Sequence, residues 1–149
     1  MQVEAEAEAR WRRLVGIGST VVFSLLMTGS ALLFLSGAPQ VAQSLGALGY
    51  PGYLAKLLGA AKLGGVAALW LPVPKALREW AYAGFVFNLL GAVASHLASP
   101  GPRGHALQPA VLLVPLLLSY LFRHRAAAAA AGAARDGGDA GAARAVAWR

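Results

Sequence analysis

Residues Tyr53–Ala98 read YLAKLLGAAKLGGVAALWLPVPKALREWAYAGFVFNLLGAVASHLA, and this stretch decides the fold. Two apolar runs, Tyr53–Leu71 and Tyr82–Ala98, flank a Leu-Pro-Val-Pro turn at Leu71–Pro74 and a short polar restart at Lys75–Trp80. Crossing a hydrocarbon core of about 30 Å takes about 20 helical residues. Tyr53–Leu71 is long enough, and the second run becomes so if its helix begins within Lys75–Trp80. The stretch is therefore expected to be a membrane hairpin of two antiparallel helices.

Similar runs lie on both sides, at Leu14–Leu35 and Leu107–Phe122, the latter interrupted by Pro115. Proline is tolerated in a membrane helix when neighbours satisfy the freed carbonyl. The expected fold is all-α, an integral membrane four-helix bundle with spans near 14–35, 53–71, 76–98 and 107–122. Three spans plus a re-entrant segment is the alternative. Over 149 residues, 58% are hydrophobic and only 13% charged, where soluble domains carry about 25% charged residues. Leu14–Leu35 exceeds the apolar core of a cleaved signal peptide, so it reads as an uncleaved anchor.

Basic residues orient the spans. Ten fall on one side (Arg10, Arg12 and Arg13; Lys75 and Arg78; Arg123, Arg125, Arg135, Arg144 and Arg149), against Arg103 alone on the other. Cytoplasmic loops retain positive charge, so both termini are expected on the cytoplasmic side of the cell membrane. The net charge of +7 then points to anionic lipid head groups rather than nucleic acid. Trp11, Trp70, Trp80 and Tyr82 are expected as aromatic anchors at the inner boundary, Tyr50 and Tyr53 at the outer one. The chain divides into a cytoplasmic segment (1–13), a membrane domain (14–125) and a low-complexity Ala/Gly/Arg cytoplasmic tail (126–149), read as solvated. Pro100-Gly101-Pro102 is expected to end the third span. In the first outer connection Val41, Leu45 and Leu48 oppose Gln40, Gln43 and Ser44, spacing that suits a short amphipathic helix on the membrane surface or an irregular loop over the bundle.

The polar residues inside the spans are the candidate site. Lys56, near the outer end, can extend its ammonium to the interface. Lys62 lies nine residues from either end of its span, about 13 Å from each boundary, beyond the reach of a lysine stem of about 6 Å. It is expected to face the bundle interior. Equal rise along the hairpin puts Lys62 level with Asn88, and Lys56 within a turn of His96. Trp80, Gly84, Asn88, Gly91 and Ser95 form a small-and-polar stripe, and Ala60, Gly64 and Ala67 a small face opposite. Lys56, Lys62, Asn88, Ser95 and His96 are thus either a ligand cluster or the polar glue of a tight helix–helix seam. Glu79 is expected in a boundary ion pair with Lys75 or Arg78, with proton acceptance as the minority role. His96, with no second histidine near it in sequence, is a weak metal candidate and serves as a proton relay, a ligand contact or a structural histidine. No metal site is expected. With no cysteine there is no disulfide, thiolate ligand or thiol nucleophile, and neither a Ser-His-Asp set nor a nucleotide loop is present.

Leu48–Ala98 resembles the DoxX-like family of small four-helix membrane proteins. The resemblance is carried by Tyr50-Pro51, Lys62, Glu79-Trp80-Ala81-Tyr82 and Ser95-His96, and continues weakly at Ser36-Gly37 and Ser119-Tyr120. It implies four membrane helices with both ends cytoplasmic. Relatives under the broader DoxX and DoxD name are associated with membrane redox systems, one a quinone-reducing sulfur oxidoreductase, which implies a quinone-like ligand and redox partner proteins. Members often carry an acidic residue just after the Ser-His pair; Ser99–Pro102 occupies that place here, removing the carboxylate a relay would use. The expected role is a small-molecule binding or accessory subunit of a membrane redox system. A metal-independent enzyme using Glu79 or His96 and a small-solute transporter are the alternatives, and the oligomeric state is left open.

Overall fold

The computed structural model describes residues 2–99 and 103–147. Among them there is no strand. The helices are α1 (Gln2–Leu35), α2 (Pro39–Ala47), α3 (Tyr53–Trp70), α4 (Lys75–Ala98), a 3-10 turn (Arg103–Ala106) and α5 (Leu107–Ala147). Two ends differ from expectation. α1 runs unbroken from Gln2 through the expected cytoplasmic segment, where Glu8 and Arg12 pair at 3.2 Å one turn apart. α5 passes through Pro115 and stays helical to Ala147, beyond the expected span end at Phe122 and into the segment read as a solvated tail. Ala and Arg have high helix propensity, and a helix already nucleated in the span propagates cheaply. Pro100–Pro102 lies outside the described residues.

Two glycines set the turns on either side of α2. Gly37 (φ +70°) follows α1, and the Ala38 N–H reaches back to the Leu33 carbonyl at 3.3 Å. Gly49 (φ +76°) follows α2, with the Tyr50 N–H on the Leu45 carbonyl at 2.8 Å. Both have the left-handed closure that glycine adopts without Cβ penalty. At the other end Leu71 is held extended (ψ 155°) by the proline after it, α4 restarts from Pro74, and Arg78 Nη2 donates to the Leu71 carbonyl at 3.1 Å.

The four long helices form a ring in which α1 neighbours α3 and α5, and α4 neighbours the same two from the opposite side. Phe23, Met27, Leu69, Tyr82, Phe85, Leu89 and Leu116 fill its centre, Phe23 meeting Phe85 edge to face at 4.9 Å. Tyr82, expected as a boundary anchor, is 4% exposed: its ring packs edge-on to Tyr120 and its hydroxyl hydrogen-bonds Ser119 at 2.8 Å. Ser119 in turn bonds Thr20 of α1, whose hydroxyl donates to the Gly16 carbonyl. Trp70 Nε1 donates to Ser24.

Polarity is reversed relative to a water-soluble bundle. Thr20, Ser24, Lys62 and Ser119 are buried, while Leu25, Leu32, Phe87 and Trp80 are exposed. Apolar side chains turned outward and hydroxyls turned inward suit a hydrocarbon surround. Three helical segments are long and apolar enough to cross a membrane: Ala7–Leu35, Lys75–Ala98 and Gly104–Arg125. α3 falls outside this set because Lys56 and Lys62 lower its mean hydropathy.

α2 is a helix, and its apolar face turns to the bundle: Val41 and Leu45 are buried against Phe34, Ala38 and Ala55. It caps the end of the ring, with Gln40 and Ser44 lining the cleft beneath it.

Candidate functional site

Lys62 is 8% exposed, although it carries a charge at the middle of α3. Gly59, one turn earlier, lets α1 come close: a Cβ there would stand 2.8 Å from Leu35 Cγ and 3.1 Å from the Ala31 carbonyl oxygen. That approach brings Ser30 and Phe34 of α1 to the lysine. Lys62 Nζ donates to Ser30 Oγ at 2.9 Å and stands 3.8 Å from the centre of the Phe34 ring. An ammonium has three donors, and one is used here. The cation–π contact offsets part of the desolvation. Neither Ser30 nor Phe34 stands out in the sequence, because α1 offers several hydroxyls and its rotation is set only by packing.

Two clefts meet at Lys62 and Asn88. The larger, about 580 Å³, occupies the end of the ring beneath α2 and takes walls from all five helices. The smaller, about 340 Å³, lies between α3 and α4 toward Trp80 and Gly84. The larger falls within the 300–1,000 Å³ usual for small-molecule sites, mostly apolar with a few polar groups. Ser95 and His96 line it about two turns from Asn88, and the Tyr50 hydroxyl bonds Ser95 at 2.7 Å, tying the α2–α3 loop to the end of α4.

The structure thus brings Lys62, Asn88, Ser95 and His96 around one space and leaves Lys56 exposed, lining neither cleft. The tight-seam reading of the α4 stripe does not hold. A Cβ on Gly64, Gly84 or Gly91 would meet nothing within 4 Å, and Ala60, Gly64 and Ala67 are exposed. Where α3 and α4 do approach, the contact is Gly65 under the Phe85 ring, 2.7 Å from an added Cβ.

Glu79 also has a different partner. It pairs with His124 of α5, Nε2 to Oε1 at 2.8 Å, rather than with Lys75 or Arg78, and Tyr120 packs on the His124 ring at 4.3 Å. Sequence distance hid this pair, since the two residues meet only when α4 and α5 pack. His96 does have a histidine neighbour, His105 of the 3-10 turn, at 5.9 Å between ring centres. Among the described residues no three or more His, Cys, Asp or Glu side chains gather where they could hold a metal. Glu79 and His96 sit seventeen residues apart on one helix, about 25 Å, so they cannot act on the same bond.

The chain matches the model of the DoxX-like family over residues 18–119, more than half of its length. The chain belongs to the DoxX-like family. The match runs from within α1 to Ser119 of α5, and so takes in the Lys62 pair, both clefts and the Tyr82–Ser119 bond. Neither a curated protein nor a solved structure matches the chain significantly. Family membership and outward-facing apolar helices together make this a membrane protein.

Proposed function

We propose that this DoxX-like protein is a non-catalytic subunit of the cell membrane that holds a lipophilic small molecule with a hydrogen-bond-accepting head, of quinone type, in the cleft beneath α2. It would serve as the accessory component of a membrane redox system. One observation carries the ligand reading: a buried ammonium with unused donors lines an apolar-walled space of ligand size. Asn88, Ser95 and His96 add polar groups along the same wall. The redox setting rests on the resemblance to the broader DoxX and DoxD relatives. In this reading residues 14–125 form the membrane domain and α3 is the fourth crossing, its length supplemented by Gly52 and Leu71. Both termini lie on the cytoplasmic side, where Arg and Lys side chains meet anionic lipid head groups. The separation of Glu79 from His96 speaks against the proton-transfer enzyme.

The test is lipid extraction of protein purified from native membranes, with mass spectrometry of what co-purifies. About one lipophile per chain is expected with the native protein and much less with Lys62→Met. No retained small molecule in either, or equal amounts in both, would remove the ligand reading.

A further inference from the structure

The chain carries six acidic residues, Glu4, Glu6, Glu8, Glu79, Asp136 and Asp139. None lies between Glu8 and Glu79, nor between Glu79 and Asp136, and Glu79 is held by His124. Lys62 therefore sits in the ring without a carboxylate from any packed span. Its surroundings are one hydroxyl, one aromatic face and open cleft. An isolated buried charge is costly in a medium of low dielectric, and an opposite charge within hydrogen-bond distance relieves that cost more than any neutral acceptor.

Resting on the proposal that the cleft is a ligand site, we infer that the site selects for an anionic head group, that of a lipophilic carboxylate or an acidic lipid, seated on Lys62. The head sits about 13 Å below the end of α3. The apolar body lies along the wall that Leu26, Met27 and Phe87 provide. Ser30 and Phe34, which both line the cleft beside the ammonium, act as positioning residues.

The probes are a fluorescent long-chain fatty acid, its methyl ester and a short-tailed neutral quinone analogue, titrated into the full chain in neutral phospholipid nanodiscs. The acid is expected to bind about tenfold or more tighter than the ester and the quinone, since a charge-assisted bond is about twice as strong as a neutral one. Lys62→Met should abolish the preference. Removing a buried charge does not threaten folding, and Lys62→Arg, which keeps the charge, should restore a preference for the acid. Competition by an anionic phospholipid added to the nanodiscs identifies a lipid head group as the source; its absence identifies a free acid. Equal binding of acid and ester, or an acid preference that survives Lys62→Met, overturns the charge selection but leaves a neutral-ligand cleft standing. Failure of all three probes overturns the cleft reading as well.

Discussion

Lys62 sets the energetics at the residue scale. A lysine at the centre of a membrane helix costs about 2.5–3.5 kcal/mol on insertion scales, and the bond to Ser30 returns about 1 kcal/mol. In delipidated protein Lys62→Met should therefore stabilise the bundle by about 1.5–2.5 kcal/mol, read as a higher midpoint of thermal unfolding in neutral detergent. A lower midpoint would mean that the ammonium holds the helices together. The glycines of α3 give a paired test. Gly65→Ala drives a methyl to 2.7 Å from the Phe85 ring and should cost about 1–3 kcal/mol. Gly64→Ala meets nothing within 4 Å and should be neutral or stabilise by up to about 1 kcal/mol through helix propensity. Lys62 was legible in the sequence because an ammonium nine residues from either helix end has no route to water. Ser30 and Phe34 were not, because hydroxyls and aromatics are common in membrane helices and only the approach at Gly59 selects these two.

Elements explain which polar residues meet. α1 lends its Gly16, Thr20, Ser24 and Met27 face to the interior, so its hydroxyls reach α3 and α5 while its leucines turn outward. Ser119 is shared by Thr20 and Tyr82, joining three helices at one atom. Ser119→Ala leaves the buried Tyr82 hydroxyl without its partner, while Thr20 keeps its bond to the Gly16 carbonyl, and should cost about 1–3 kcal/mol, checked by the same thermal unfolding. The α4 stripe was visible in the sequence, but its role was not: small residues mark either a close helix contact or the wall of a void, and spacing alone does not distinguish them. α2 was legible as a helix from Pro39, the Val41/Leu45 spacing and Gly49. Its docking onto the ring depended on Phe34 and Ala55, which no local pattern reveals. Tyr50→Phe removes the bond that ties the α2–α3 loop to Ser95. Faster hydrogen exchange across Pro39–Tyr50 is the expected result, and unchanged exchange would show that apolar packing alone holds α2 down.

At the scale of the whole molecule, hydropathy, charge asymmetry and outward leucines all describe a bundle in lipid, and the membrane class was readable from composition alone. The number of crossings turns on α3, the shortest of the four ring helices, which carries two lysines within its 18 residues. Lys56 and Lys62 lower its hydropathy, yet its place in the ring between α1 and α4 surrounds it with helices that are long enough to cross. Four crossings put residues 8, 75 and 128 on one side and residues 36 and 104 on the other; three crossings, with α3 outside the membrane, put 75 and 128 opposite residue 8. The chain has no cysteine, so single cysteines can be placed at each position on a clean background. The most direct measurement is labelling of Glu8→Cys, Ser36→Cys, Lys75→Cys, Gly104→Cys and Ala128→Cys with a membrane-impermeant maleimide in intact cells and in inverted vesicles. Labelling of 36 and 104 only in cells, and of 8, 75 and 128 only in inverted vesicles, is the expected result. Labelling of 75 and 128 from the cell exterior would contradict four crossings, and with them the mid-membrane lysine.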